Sequence, residues 1–287
     1  KCGAVQWTVD RATHHSVTPN PDGSFWIPGK RDPAKITDDL LLFNFSREEL
    51  LEQGGEFEDT LLLVDAYGNI KKELSVLKAL VKGGFEYQLF DIGRIDREDP
   101  THINDIEVVT AALANKIDGV SEGDLLVSIR NMHMLVIMDS TTGEIKWHQA
   151  GPWVGQHDPD ITKHGTIEVF NNHSSYVDLD FSENQIPVVS VGSNIISFDP
   201  ATNEYNVIYP LQNQEKFYTR IQGSHQLLDN GNRLIVEARA GRVFEIDKQG
   251  NIVWDYVKPY DDSYSSWIEH AIRYDKDYFN VTDWSCS

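Results

Sequence analysis

The chain has 287 residues, 40% of them hydrophobic and 24% charged, enough to bury a sizeable core in one or two domains. Its formal charge is -20, from 45 acidic against 25 basic residues. That excludes nucleic acid or an anionic membrane surface as the expected partner, because both need a cationic footprint. No run of about 18 apolar residues is present, so no membrane insertion is expected.

The opening "KCGAVQWTVD" has no apolar core of signal-peptide type. Within it, "AVQWTVD" (4–10) has the pattern of a closing β-strand. A first repeating unit follows, His14 to Leu77: "HHSVTPNPDGSFWIPGK", then "TLLLVDAYGN" and "IKKELSVL". It is interrupted by an insertion at about 31–59, where "SREELLEQ" has a capping-box start and predicts a short helix. This insertion is the candidate element for a protein contact. A second unit, Thr101 to Gly151, reads "THINDIEVV", "GDLLVSIRN", "MLVIMDSTTG" and "EIKWHQAG", with a second helical insertion near Ala111 to Gly123. A third, Gln156 to Leu211, reads "QHDPDITKHGTIEVFNN", "NIISFDPATN" and "EYNVIYPL".

The fourth unit, Gly223 to Pro259, shows the grammar most clearly. Short alternating runs "HQLL", "RLIVEA", "RVFEID" and "IVWDYV" are separated by "DNGN" and "KQGN", and Asn-Gly turns between such runs are hairpin signals. The C-terminal "EHAIRYDKDYFNVTDW" resembles an opening strand. Repeats of this length and content predict one all-β domain over 1–287, a β-propeller of four-stranded blades. Five blades are expected, four complete and one shared by the two termini, with a degenerate sixth as the alternative. Sharing a blade would close the ring and remove exposed edges.

Each unit begins with a histidine on or before its first strand, at His15, His102, His157, His225 and His270. First strands line a propeller's channel, so these imidazoles are expected to converge. A structural hydrogen-bond role is the competing reading for each. His133, His148, His164 and His173 fall outside this position and are expected at the surface or in packing. The second strands end at Arg130, Asn171 and Arg239, which the repeats place as equivalents. Arginine's rigid fork suits a carboxylate, phosphate or sulfate, although pairing with acidic neighbours would serve equally in so acidic a chain. Asp105, Asp158 and Asp160 could orient imidazoles. Bound calcium is the weaker reading, since the spacing lacks a calcium loop's glycine, and no cofactor is expected.

Cys2 and Cys286 lie at opposite ends of the chain. A disulfide between them is favoured over two unrelated thiols, because a ring-shaped fold brings its ends together. It would imply an oxidising, secreted or periplasmic setting. The sequons at Asn44, Asn172 and Asn280 are compatible with a secreted glycoprotein.

The stretches "HINDIEVV", "GDLLVSIRNMHMLVIMDSTTGEIKW", "GPWVGQHDPDI" and "GSHQLLDNGNRLIVEARAGRVFEIDKQGNIVWDYVKP" resemble the arylsulfotransferase family, the PAPS-independent ASST-like β-propellers. The resemblance runs from about His14 onward. It implies sulfuryl transfer from a phenolic sulfate ester to an acceptor hydroxyl through a histidine nucleophile, with a small anionic aryl ester or sulfated compound as partner. By motif, His157 is the nucleophile, Asn104, Arg130 and His102 supply donors to the sulfuryl oxygens, and His15 (or His14) exchanges the phenolic proton. His225 and His270 shape the pocket, with Arg239 and Asn171 among the substrate-binding residues. The alternatives are a ligand- or protein-binding propeller without catalysis, or a polysaccharide lyase or hydrolase on the same scaffold.

Overall fold

A computed structural model describes residues 4–38, 46, 48, 58–92, 99–173, 192–261, 263–275 and 278–279. Among them are four antiparallel sheets, each of four strands in sequence order. Sheet one holds β1 (Thr18–Pro19), β2 (Phe25–Lys30), β3 (Asp59–Val64) and β4 (Ile70–Ser75). Sheet two holds β5 (Ile103–Val108), β6 (Leu125–Ile129), β7 (Met134–Met138) and β8 (Ile145–Ala150). Sheet three holds β9 (His157–Ile161), β10 (Ile167–Asn171), β11 (Asn194–Asp199) and β12 (Glu204–Tyr209). Sheet four holds β13 (Ser224–Leu227), β14 (Arg233–Glu237), β15 (Arg242–Ile246) and β16 (Ile252–Val257). The first strands of neighbouring sheets touch, β1 with β5, β5 with β9 and β9 with β13. These sheets are the expected propeller blades.

The core lies between facing blades because successive strand residues point to opposite faces. Leu61, Ile103 and Val127 join blades one and two. Leu126, Ile137, Val169 and Phe198 join two and three. Phe170, Tyr209, Phe217 and Phe244 join three and four. Trp153 is fully buried against Phe198, ring centroids 5.8 Å apart.

Residues 70–77 do not form one closing strand. β4 ends at Ser75, whose side chain caps the amide of Lys78 and starts α1 (Val76–Lys82). Val76, Leu77, Ala79 and Leu80 bury one helical face, and this 3.6-residue spacing overrides strand continuation. A second helix, α2 (Glu86–Ile92), follows. The insertion after β5 is helical as expected, in α3 (Ala111–Ala114).

The shared fifth blade is not formed by described residues. Trp7 and Val9 pack on blade one beside Leu62 and Val64, while Ile268 and Ala271 pack on blade four beside Leu234 and Val243. Neither segment is assigned as strand. Cys2, Cys286, Asn44, Asn280 and most of the 31–59 insertion lie outside the described residues. Among described residues, no helix is long and apolar enough to cross a membrane.

Two blades end their second strand in the same device, a 3-10 turn closed by a left-handed residue. Arg130–Met132 closes on His133 (φ 51°), and Ala238–Ala240 on Gly241 (φ 63°). In blade three His173, two residues past the last pair instead of four, is also left-handed (φ 53°). The last paired residues are Ile129, Asn171 and Glu237. Arg130 is therefore equivalent to Asn172 and Ala238, and Arg239 to Asn131. The alignment of Arg130 with Asn171 and Arg239 was one residue out of register.

Asn172 is also not a glycan acceptor in this fold. Its side chain is fully buried, and its Nδ2 donates to Thr219 O (3.0 Å) and Gln222 O (2.6 Å). Peptide mapping of protein made in a glycosylating host should find Asn172 unmodified; a glycan there would contradict this packing. At Gly241 an added Cβ would meet Ser266 O at 1.9 Å, on a backbone already left-handed. Gly241→Ala is expected to cost about 2–4 kcal/mol in denaturant unfolding. A loss below about 0.5 kcal/mol would show that Ser266 moves freely.

Candidate functional site

The head of β9 carries a bulge. Phe170 pairs with His157 and Glu168 with Asp160, so the register shifts between them, and Asp158 takes a left-handed φ of 50°. β5 has the matching shift between Ile103 and Asp105, after a left-handed His102. Bulges re-aim side chains. Here they turn the heads of two first strands toward one cleft of about 730 Å³, lined by His14, His15, Asn104, His157, Asp158, Asp160, His225 and His270.

Gln156 anchors this geometry. Fully buried, its Nε2 donates to Ser128 Oγ (3.1 Å), Ile129 O (3.3 Å) and Met134 O (3.2 Å). Its carbonyl accepts from Asn104 Nδ2 at 2.7 Å. One N–H of Asn104 thus holds β5 against β9, while the residue also lines the cleft.

His157 is buried. Its Nδ1 lies 2.7 Å from Asn172 Oδ1 and 3.1 Å from Gly155 O. Both are acceptors, so these partners place the proton on Nδ1. Nε2 accepts from the Gln222 amide at 3.3 Å, a long bond on its single lone pair that a reacting group would have to displace. Burial, then the positive charge of Arg130, hold His157 down at about 3, against the raising effect of the Asn172 bond. It is a neutral imidazole at neutral pH.

Three more imidazoles stand beside it. His15 lies 5.2 Å from His102, 6.4 Å from His157 and 5.0 Å from His14, between ring centroids. His15 is lowered by its surroundings in the cleft, then by His102 and His14, although its outer edge is open to water. His14 Nε2 lies 3.1 Å from Asp59 Oδ1, and His102 Nδ1 is hydrogen-bonded to Asp99. Lys30 Nζ bridges Asp59 (2.9 Å) and Asp99 (2.7 Å). Burial would raise the fully buried Asp59, but the hydrogen bond from His14 and the charge of Lys30 hold it well below the usual carboxylate range.

The opposite wall is acidic. His225 Nδ1 lies 3.0 Å from Asp158 Oδ2, and its Nε2 lies 3.7 Å from Asp160 and 3.8 Å from Glu168. Burial alone would lower this imidazole, but the Asp158 hydrogen bond and the charges of Asp160, Asp158 and Glu168 push it up to about 9. Asp105 is raised well above the usual range by burial and then by Asp158, and Glu107 by burial and then by Asp105. Asp160 rises from the same causes, although 40% of its side chain is open to solvent, which tempers the effect. Of this group, Glu107 and Glu168 carried no signal in the repeats; nor did Lys30, Asp59 and Asp99 on the imidazole side. Their placement depends on contacts between distant segments.

Two expected substrate-binding residues do not line the cleft. Asn171 Oδ1 accepts from the amides of Val154 (2.8 Å) and His173 (3.1 Å), and its Nδ2 donates to Asn194. Arg239 stacks 3.6 Å over the Trp267 ring. The one-residue register difference explains Asn171, because side chains alternate faces along a strand; Arg239 lies in the 3-10 turn after β14. Asn172, at the Arg130-equivalent position, does reach the site. His270 is exposed at the rim. Of the histidines expected to pack, His133 accepts from the Gly155 amide (3.0 Å) and His148 meets Phe85 edge-on. A larger, open groove of about 860 Å³ lies under Trp254, Tyr256 and Trp267; it brings together no comparable set of imidazoles and carboxylates.

No curated protein matches the chain. Among solved structures, it is similar to a protein of unknown function from Bacteroides caccae, with 11% identity over 84% of this chain and 65% of that one, at a TM-score of 0.49. It is similar to a streptogramin B lyase, with 13% identity over 86% and 55%, at 0.44. A third is a catalytically inactive virginiamycin B lyase from Staphylococcus aureus with quinupristin, with 11% identity over 88% and 58%, at 0.43. The chain spans less than two thirds of the length of each. The profile of the arylsulfotransferase (ASST) family matches residues 2–259. With a match over most of its length, the chain belongs to the arylsulfotransferase (ASST) family.

Proposed function

We propose that the protein transfers a sulfuryl group from a phenolic sulfate ester to an acceptor hydroxyl, through a covalent intermediate on His157. The observation that carries this reading is the state of His157: buried, neutral, protonated on Nδ1 by its Asn172 contact, with Nε2 at the cleft. Sulfuryl transfer resembles phosphoryl transfer, a loose in-line displacement with charge spread over equatorial oxygens. Nε2 forms a bond to sulfur as the ester S–O bond breaks and the phenolate departs. An acceptor hydroxyl then attacks the sulfur, loses its proton and restores the imidazole.

Arg130 is close enough to lower His157 and is buried beside it. We assign it to the sulfuryl oxygens, where a fixed cation in a low-dielectric wall acts most strongly. His15 is lowered by desolvation and then by His102 and His14, an effect tempered by its exposure, and suits binding or proton acceptance. His102, held by Asp99, is the better carrier of the phenolic proton. Aryl sulfates are the substrate class the family suggests. An extracellular or periplasmic setting, with the Cys2–Cys286 bridge, belongs to the same proposal.

The test is turnover of 4-nitrophenyl sulfate with phenol as acceptor. Ping-pong kinetics are expected, and His157→Ala should lower kcat about a thousandfold or more. Equal background turnover by wild type and variant would end the transferase reading. The His102 assignment has its own signature. His102→Gln and Asp99→Asn should each slow transfer from unsubstituted phenyl sulfate roughly 100-fold. They should affect 4-nitrophenyl sulfate far less, since its leaving group needs no proton. Equal losses with both donors would remove His102 from proton transfer.

A further inference from the structure

We propose that His225 and Asp160, supported by Asp158 and Glu168, hold a divalent transition-metal ion on the acidic wall of the cleft. The His225 side chain is fully buried. Its Nδ1 faces Asp158 Oδ2, which also accepts from the His225 backbone amide. That carboxylate fixes the proton on Nδ1 and turns Nε2 toward Asp160 and Glu168. Nε2 is buried and makes no hydrogen bond among the described residues. Its distances to the two carboxylates, 3.7 and 3.8 Å, are too long for hydrogen bonds. The Asp160 distance matches two ligands of one ion, which at metal–ligand bonds of about 2.1 Å lie roughly 3–4 Å apart; both Glu168 oxygens accept from Arg233, so Glu168 supplies charge beside the site and not a ligand atom.

A donor atom from each of Asp158, Asp160 and His225 can be chosen so that all lie within 4.8 Å of one another. A carboxylate on Nδ1, with the metal on Nε2, is the usual way a protein orients a ligating imidazole. The donor set also selects the ion. Calcium takes oxygen ligands, whereas one imidazole with two carboxylates suits zinc or manganese. Asp160 lines the cleft, so open coordination positions would face it and take an anionic oxygen of a bound molecule. The site stands apart from the reaction assigned to His157.

The experiment is zinc and manganese binding to chelator-treated full-length protein, by calorimetry and by metal analysis after dialysis. About one ion per chain is expected. Affinity should fall at least tenfold in both Asp160→Asn and His225→Gln and stay unchanged in His270→Ala. Asp160 is partly exposed, so Asp160→Asn decides the matter if His225→Gln fails to fold, as judged by circular dichroism. Three results would overturn the proposal: no saturable binding, affinity unchanged in Asp160→Asn, or zinc lost only on His15→Ala. The last would place the ion among the imidazoles instead.

Discussion

The amide of Asn172 holds the site together. Its nitrogen donates to Thr219 O and Gln222 O, on the approach to blade four, and its oxygen accepts from His157 on blade three. Ser193 Oγ reaches both the Asn172 carbonyl and Thr219 O. One buried side chain thereby joins two blades, sets the His157 tautomer, and brings the Gln222 amide against Nε2. A buried polar group with every valence satisfied is rigid, and removal of any partner leaves an unpaired neighbour at the cost of its desolvation. Through their amide nitrogens, Gln156 and Asn104 tie blades two and three together, so His157 is fixed from both sides along its strand.

Around this hub the cleft separates charge. On and behind one wall lie four imidazoles, Lys30 and Arg130, with Asp59 and Asp99 among them. The other gathers five carboxylates around His225. Burial strengthens the field at His157 and His225, which little water reaches, more than at the open His15 and Asp160. The same force therefore pushes two buried histidines in opposite directions: His157, beside a cation and a neutral amide, is held neutral, while His225, among carboxylates, favours a positive charge, which a metal ion on Nε2 would supply in place of the second proton. Identical residue types at equivalent positions of the repeat are given different chemistry by what the neighbouring blade places beside them.

The fold was legible because its signals are local. Asn-Gly turns and alternating runs placed β13 to β16 nearly residue for residue, and three leading histidines, His15, His102 and His157, come together while His225 stands on the opposite wall. What failed was local in another way. α1 was hidden behind a strand-like opening, since Ser75 ends one element and caps the next. A slip of one residue after β10 and β14 pointed to Asn171 and Arg239 rather than Asn172. Along β10, with its period of two, that slip moves a side chain from one face to the other. Asn172 was read as a sequon because its chemistry lies in Thr219, Gln222 and His157, 15 to 50 residues away. Asp59, Asp99 and Lys30 escaped for the same reason, and the terminal segments looked like strands without pairing as strands among the described residues.

The account turns on Nε2 of His157 being the atom that accepts the sulfuryl group. Rapid quenching with 4-nitrophenyl sulfate in the absence of acceptor, followed by peptide mass spectrometry at neutral to alkaline pH, reads this directly. The structure predicts one sulfuryl group per chain, on the peptide that contains His157, discharged when a phenol is added. A chain that turns over the donor while remaining unmodified, or that carries the group on another residue, would contradict it.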